Sequence, residues 1–224
     1  PSKIEAAINK NTTAILATHC FGNPCEIDKI NEIATKYGLK VIFDGAHCFG
    51  SRYKGQSVFQ YGDITTVSFH ATKIFHTIEG GGVFVRDKEL LEKLFYMRNF
   101  GHKSEVEFQG VGINAKNSEF HAAMGLVNLK YVDSILEKRK EQCFYYDEYL
   151  NQTNYKTVKR DEHSSNFSYY PIIFNTEQQL EEALGKLHQS GIFPRRYFYP
   201  ALSTLPYVKK VSLSLTDEIS RKVL

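Results

Sequence analysis

The 224-residue chain has no tryptophan, only two methionines and only four cysteines, and its shortages narrow what it can be. Cys20, Cys25, Cys48 and Cys143 form no CxxC pair and no zinc-ligand spacing, so neither a disulfide framework nor a Cys-rich metal site is expected. No apolar stretch approaches the ~18–20 residues of a membrane span, and the start lacks a signal-peptide pattern. Charge of one sign is also scarce. Lys plus Arg is 28 and Asp plus Glu is 25, a net +3 with the signs interspersed, so neither a nucleic acid nor a membrane is an expected partner. The default setting is a reducing cytoplasm, where the sequons at Asn11, Asn151 and Asn166 are chance matches.

What is present reads as an α/β chain. Thr13 to Thr18 is an apolar run of strand length. Glu26 to Tyr37 places Ile27, Ile30, Ile33 and Ala34 at helical spacing and stops at Gly38. Leu39 to Phe43 is a second strand, and the short turns of this strand–helix–strand unit predict parallel neighbours in a covered sheet. Ile64 to Phe69 and Gly82 to Val85 read as further strands, followed by helices at Lys88 to Met97, Ser118 to Lys130 and Asp133 to Leu150. Asn151 to Ser165 is polar and reads as a linker or long loop. Beyond it, Phe167 to Phe174 predicts a strand, Glu177 to Gln189 a helix, and Ile192 to Arg196 a short strand or turn.

Ligands of open α/β sheets gather beyond the carboxyl ends of the strands. Two polar groups of residues stand there: Asp44 to His47 after the second strand, and Ser68 to Lys73 after the third, running on to Glu79-Gly80-Gly81-Gly82. Asp44 also suits a helix N-cap, and Lys73 also suits a surface charge. Together, a carboxylate, a lysine and a hydroxyl at one sheet edge are the parts of a pyridoxal phosphate site. A primary amine can form a Schiff base with the cofactor aldehyde and be displaced by substrate. A carboxylate can keep the pyridine nitrogen protonated, a pairing worth about 4 kcal/mol, or roughly three pKa units, at ~4 Å and effective dielectric ~20.

The chain resembles the DegT/DnrJ/EryC1/StrS family of sugar aminotransferases. The matching stretches arrive in family order: Gly22-Asn-Pro, Val41 to His47, Tyr53-Lys-Gly55, Phe59 to Asp63, Ser68 to Lys73 and Glu79-Gly-Gly81. Met97 to Gly101, Gly112-Ile-Asn114, Ser118 to Leu126 and Arg196 to Pro200 follow. The resemblance implies a fold-type I (aspartate aminotransferase-like) large domain with a mostly parallel sheet, expected over 1–130. A connecting helix and part of a smaller α/β C-terminal domain are expected over 131–224.

It also implies roles. Lys73 is similar to the Schiff-base lysine and proton carrier, and Asp44 to the pyridinium partner. His47 takes the place of a residue lying against the cofactor near its phenolic oxygen, and Ser68 that of a phosphate ligand. Asn114 matches a residue that reaches the opposite subunit's cofactor phosphate, so a homodimer with shared active sites is implied. Arg196 falls in the motif near the substrate entrance. The motifs around His47, His70 to Glu79, Asn114 to Lys116 and Arg195 to Pro200 are similar to the branch that makes dTDP-4-amino-4,6-dideoxyglucose, with L-glutamate as amino donor and a nucleotide-linked keto sugar as acceptor. The products of such enzymes go to surface polysaccharide or glycoside biosynthesis. Lys116, Asn117 and Ser203 depart from the family's common choices. Relative to the family, the chain is expected to lack an N-terminal part that helps to cradle the phosphate, and a C-terminal end, and so to bind cofactor weakly by itself.

Three rival readings compete for the same residues. A 3-keto sugar aminotransferase of the same family shares every motif above. A related dehydratase carries histidine in place of the lysine, which Lys73 opposes. A truncated, non-catalytic homologue would keep the fold without turnover. Gly110-Val-Gly112-Ile-Asn-Ala115 satisfies a dinucleotide fingerprint, but the polar Glu105 to Gln109 before it is no buried strand. His47, Cys48, His70 and His76 share no usual ligand spacing, so no metal is expected.

Overall fold

A computed structural model describes residues 1–224. Four strands form its main sheet in the order β1 (Ala14–Thr18), β2 (Lys40–Asp44), β3 (Ile64–Ser68) and β4 (Gly81–Val85). β1, β2 and β3 run parallel, in a register that pairs Thr18 with Asp44 and Asp44 with Thr66. β4 returns antiparallel to β3, with Ser68 opposite Gly81. The sheet is thus mostly parallel, as expected, with one antiparallel edge. Residues 69–80 join β3 to β4 without a helix, the element that usually carries the crossover to a parallel partner.

Between β1 and β2 lies helix α1 (Ile27–Tyr37), which ends at Gly38 in the left-handed conformation, φ 65°. Its buried stripe of Ile27, Ile30 and Ala34 packs on Ile15, Val41 and Phe43 of the sheet. Each fully buried isoleucine there contributes about 1.5–3 kcal/mol. The opposite face of β1 is open, with Leu16 70% exposed.

After the sheet come α2 (Lys88–Met97), α3 (Glu119–Leu129) and α4 (Val132–Leu150). The side chains of Asp87 and Ser118 cap α2 and α3 by accepting the Leu90 and His121 amides. Short strands β5 (Lys156–Thr157) and β6 (Ile172–Ile173) then pair antiparallel, and α5 (Glu177–Gln189) and α6 (Ser214–Ser220) follow. No helix is long and apolar enough to cross a membrane.

The chain divides into two compact units: residues 1–140 with 160–168, and residues 141–159 with 169–224. The sequence places a change of unit near residue 130; the first unit instead runs ten residues further and takes back 160–168. The reason is polar anchoring. Ser164 accepts the Arg52 amide, and Asn166 donates to two carbonyls of the first unit. Three local expectations need correcting. The loop expected over 151–165 contains β5. The strand expected over 167–174 is reduced to Ile172–Ile173, because Phe167 takes a left-handed backbone, φ 55°, that breaks a ladder. Ile192 to Arg196 forms no strand; the Ile192 amide instead bonds the Leu187 carbonyl at the end of α5.

Candidate active site

Asp44 ends β2, and the chain turns at once: the Gly45 amide bonds the Thr66 carbonyl at 2.9 Å on the neighbouring strand. A Cβ at Gly45 would lie 2.8 Å from that same oxygen, so only glycine lets the turn hug the sheet. Asp44 caps this turn rather than a helix, Oδ1 accepting the Ala46 amide at 2.9 Å.

His47 follows on the same turn and is nearly buried. Its Nδ1 accepts the Phe21 amide at 3.2 Å, and the ring stacks on Phe21. Burial pushes its pKa down to about 4, helped by the Lys73 charge and opposed by Asp44. His47 therefore sits within the fields of both groups, and it is neutral at pH 7.

Lys73 rides on the loop from β3 to β4, half-buried, its amide bonded to the His70 carbonyl at 2.9 Å. Three sets of contacts hold this loop. Backbone bonds close its neck, Phe69 to Gly80 and Thr77 to Phe69. Phe69 and Phe75, on either side of Lys73, pack against Phe49 from the Asp44 turn, with Phe49 and Phe75 stacked at 4.3 Å. Helix α3 closes from outside: Gly125 lies so near Thr77 that a Cβ would come within 2.7 Å of its methyl, and Asn128 donates to the His76 carbonyl. Ser68, at the end of β3, accepts the His70 amide at 3.3 Å on Oγ.

Asp44, His47, Ser68 and Lys73 are thus carried on the ends of two adjacent parallel strands. Two of the predicted residues are placed differently. Asn114 is exposed on the strand-like contact with Asn99 and accepts a hydrogen bond from Lys116 at 2.8 Å. Arg196 belongs to the C-terminal unit, where its guanidinium meets Glu177 at 2.6 Å, the Arg221 carbonyl at 3.0 Å and the Tyr199 ring face at 3.5 Å. Those partners brace it within that unit, while its Nε is buried without a hydrogen-bond partner. Ser203 is likewise bonded to Asp217.

Two residues that the sequence reading passed over support the site. Asn166, 3% exposed, donates to the His47 and Phe49 carbonyls at 2.7 and 2.8 Å, and its Oδ1 accepts from Ser168. Its only sequence signal was a sequon, and burial of the amide closes it to any glycan. His19, directly after β1, is fully buried on Phe43.

A profile of the DegT/DnrJ/EryC1/StrS aminotransferase family matches residues 1–224. The chain belongs to this family. Among its relatives, a dTDP-4-amino-4,6-dideoxy-D-glucose transaminase of Shigella dysenteriae is 41% identical over 204 residues, 89% of this chain and 56% of the relative. One of the same name from Escherichia coli is 35% identical over 237 residues, 99% of this chain and 63% of the relative. The crystal structure of DesI in the presence of its TDP-sugar product superposes with a TM-score of 0.87 at 29% identity, covering all of this chain and 59% of DesI. This member of the DegT family therefore has the α/β fold that the resemblance implied, and it spans about three-fifths of the length of the relatives it matches.

Proposed function

We propose that this chain carries the catalytic lysine, the ring-nitrogen carboxylate and part of the phosphate site of a pyridoxal phosphate-dependent nucleotide-sugar aminotransferase. The observation that carries the reading is the placement of Asp44 and Ser68 at the ends of adjacent parallel strands, with the Lys73 loop packed through Phe75 on Phe49 of the Asp44 turn. The donor set fits the cofactor: a primary amine for the aldehyde, a carboxylate for the ring nitrogen, a hydroxyl for the phosphate and a neutral imidazole for the ring. When bound, pyridoxal phosphate supplies an aldehyde that condenses with an amine and a ring that accepts the electron pair of the reacting carbon.

The chain's own residues do the rest. Lys73 would offer Nζ as the amine for the covalent link and, when that amine is free, as the base that carries a proton. Asp44, pinned by the Ala46 amide, would supply the carboxylate that keeps the ring nitrogen protonated. His47, neutral and fixed by the Phe21 amide, would offer an uncharged imidazole to the ring. The Ser68 hydroxyl would serve as a donor to the phosphate. Asn114, exposed here, would serve the partner subunit of a homodimer.

The names of the Shigella and Escherichia relatives favour dTDP-4-keto-6-deoxyglucose as amino acceptor; L-glutamate as donor, a cytoplasmic setting and surface polysaccharide synthesis complete the proposal. Borohydride reduction of the cofactor-loaded protein, followed by peptide mapping, tests the core of the reading: a pyridoxyl group is expected on Lys73, and its appearance on another lysine refutes the assignment. Product analysis with glutamate and a panel of nucleotide keto sugars then separates amination at carbon 4 from amination at carbon 3 and from dehydration.

A further inference from the structure

His19 lies where the parallel ladder ends, one residue beyond the Thr18–Asp44 pair. Its backbone N–H donates to the Asp44 carbonyl at 3.0 Å. Its ring is stacked on Phe43, the residue before Asp44, with centroids 4.6 Å apart and planes 21° from parallel. Nδ1 accepts the Cys25 amide at 3.0 Å, so that nitrogen carries a lone pair and the proton of the neutral ring sits on Nε2. Nε2 is buried and meets no protein acceptor. A buried N–H without an acceptor is rare in folded proteins and marks either a water or a functional contact. Burial pushes the ring's pKa down to about 4, and the charge that opposes this is Asp44.

We propose that His19 is a positioning residue for Asp44: its Nε2–H reaches the Asp44 carboxylate across one buried water and fixes the carboxylate's orientation at the sheet edge. The Cys25 amide sets the tautomer, Phe43 sets the ring plane, and the Ala46 amide holds Oδ1 from the other side. Such a group acts as the outer support of a charged ligand, aiming it without touching the substrate. The inference rests on Asp44 being the carboxylate of the proposed site.

The first test needs no cofactor. In the full chain labelled with nitrogen-15 histidine, the His19 imidazole is assigned by its loss in His19→Gln. It is expected as the Nε2–H tautomer from pH 5 to 8, with a slowly exchanging proton whose resonance moves on Asp44→Asn. An Nδ1–H tautomer, a rapidly exchanging proton, or a resonance indifferent to Asp44→Asn overturns the proposal. The second test is a double-mutant cycle on pyridoxal phosphate binding. His19→Phe is expected to weaken binding about tenfold when Asp44 is present, to have no effect in the Asp44→Asn background, and to be largely rescued by His19→Gln. Equal losses in both backgrounds reduce His19 to packing and overturn the role. Because the spectrum is read without cofactor, the His19–Asp44 link can fail while borohydride mapping still finds Lys73 labelled, and the reverse.

Discussion

Lys73 in the N-terminal unit and Arg196 in the C-terminal unit are both half-sheltered cations, yet they are held from opposite ends. Lys73 is fixed by its backbone: the loop beneath it is closed by Phe69, Gly80 and Thr77, clamped by Phe49 and Phe75, and backed by α3. Arg196 is fixed by its head, with Glu177, the Arg221 carbonyl and the Tyr199 ring holding the guanidinium. A charge anchored through its backbone keeps its terminus for chemistry, whereas one anchored through its terminus has become structure. The histidines of the N-terminal unit extend the contrast, since His19 and His47 are buried neutral beside Asp44 rather than paired as cations.

The largest test of that contrast is acidity. His19 and His47 have pKa values near 4 in the fold against 6.5 ordinarily, so between those values the unfolded chain takes up protons that the folded one refuses. Stability is fully present above about pH 6.5 and is lost as pH falls toward 4. At pH 5 the loss is about 2 kcal/mol for His19 and somewhat less for His47, which keeps some contact with solvent. Urea midpoints at pH 7 and pH 5 measure it, and an unmoved midpoint would break the comparison.

Next in size is Asn166→Ala, which strips a buried amide from the His47 and Phe49 carbonyls and should cost about 2–3 kcal/mol in denaturant unfolding. Gly125→Ala drives a methyl into Thr77, and overpacking of this kind costs about 2 kcal/mol. Because Thr77 closes the Lys73 loop, the same variant should lower the yield of pyridoxyl label at Lys73, which a remote core defect would leave intact. The smallest effect belongs to Arg196→Ala: about 1 kcal/mol for the lost Tyr199 contact, confined to the C-terminal unit, with Lys73 labelling retained. If that variant instead abolished labelling, the division of roles between the two cations would be wrong.

Much of this was legible from local signals. The 3.6-residue spacing of Ile27, Ile30 and Ala34 and the Gly38 stop placed α1, and the expected run from Ser118 to Lys130 placed α3, within a residue or two of their observed bounds. The places of Lys73 and Asp44 at strand ends followed from the same apolar runs. Elements with little local signal were missed. β5 has two residues and exists through its pairing with β6, and α6 lies in a stretch read as having no element.

By itself, the sequence determined the strand and helix segments, the parallel β1–β2 unit and the residue types of the site, because hydrophobic period, caps and turn residues act within a few positions of the chain. Only the tertiary structure decided that β4 returns antiparallel, that Asn166 crosses 119 residues to hold His47, that Arg196 bonds Glu177, and that His19 is buried with its Nε2 meeting no protein partner. Those facts depend on which buried polar atoms find partners across the fold, and residues so far apart in the chain leave no periodic trace of the partner they will meet.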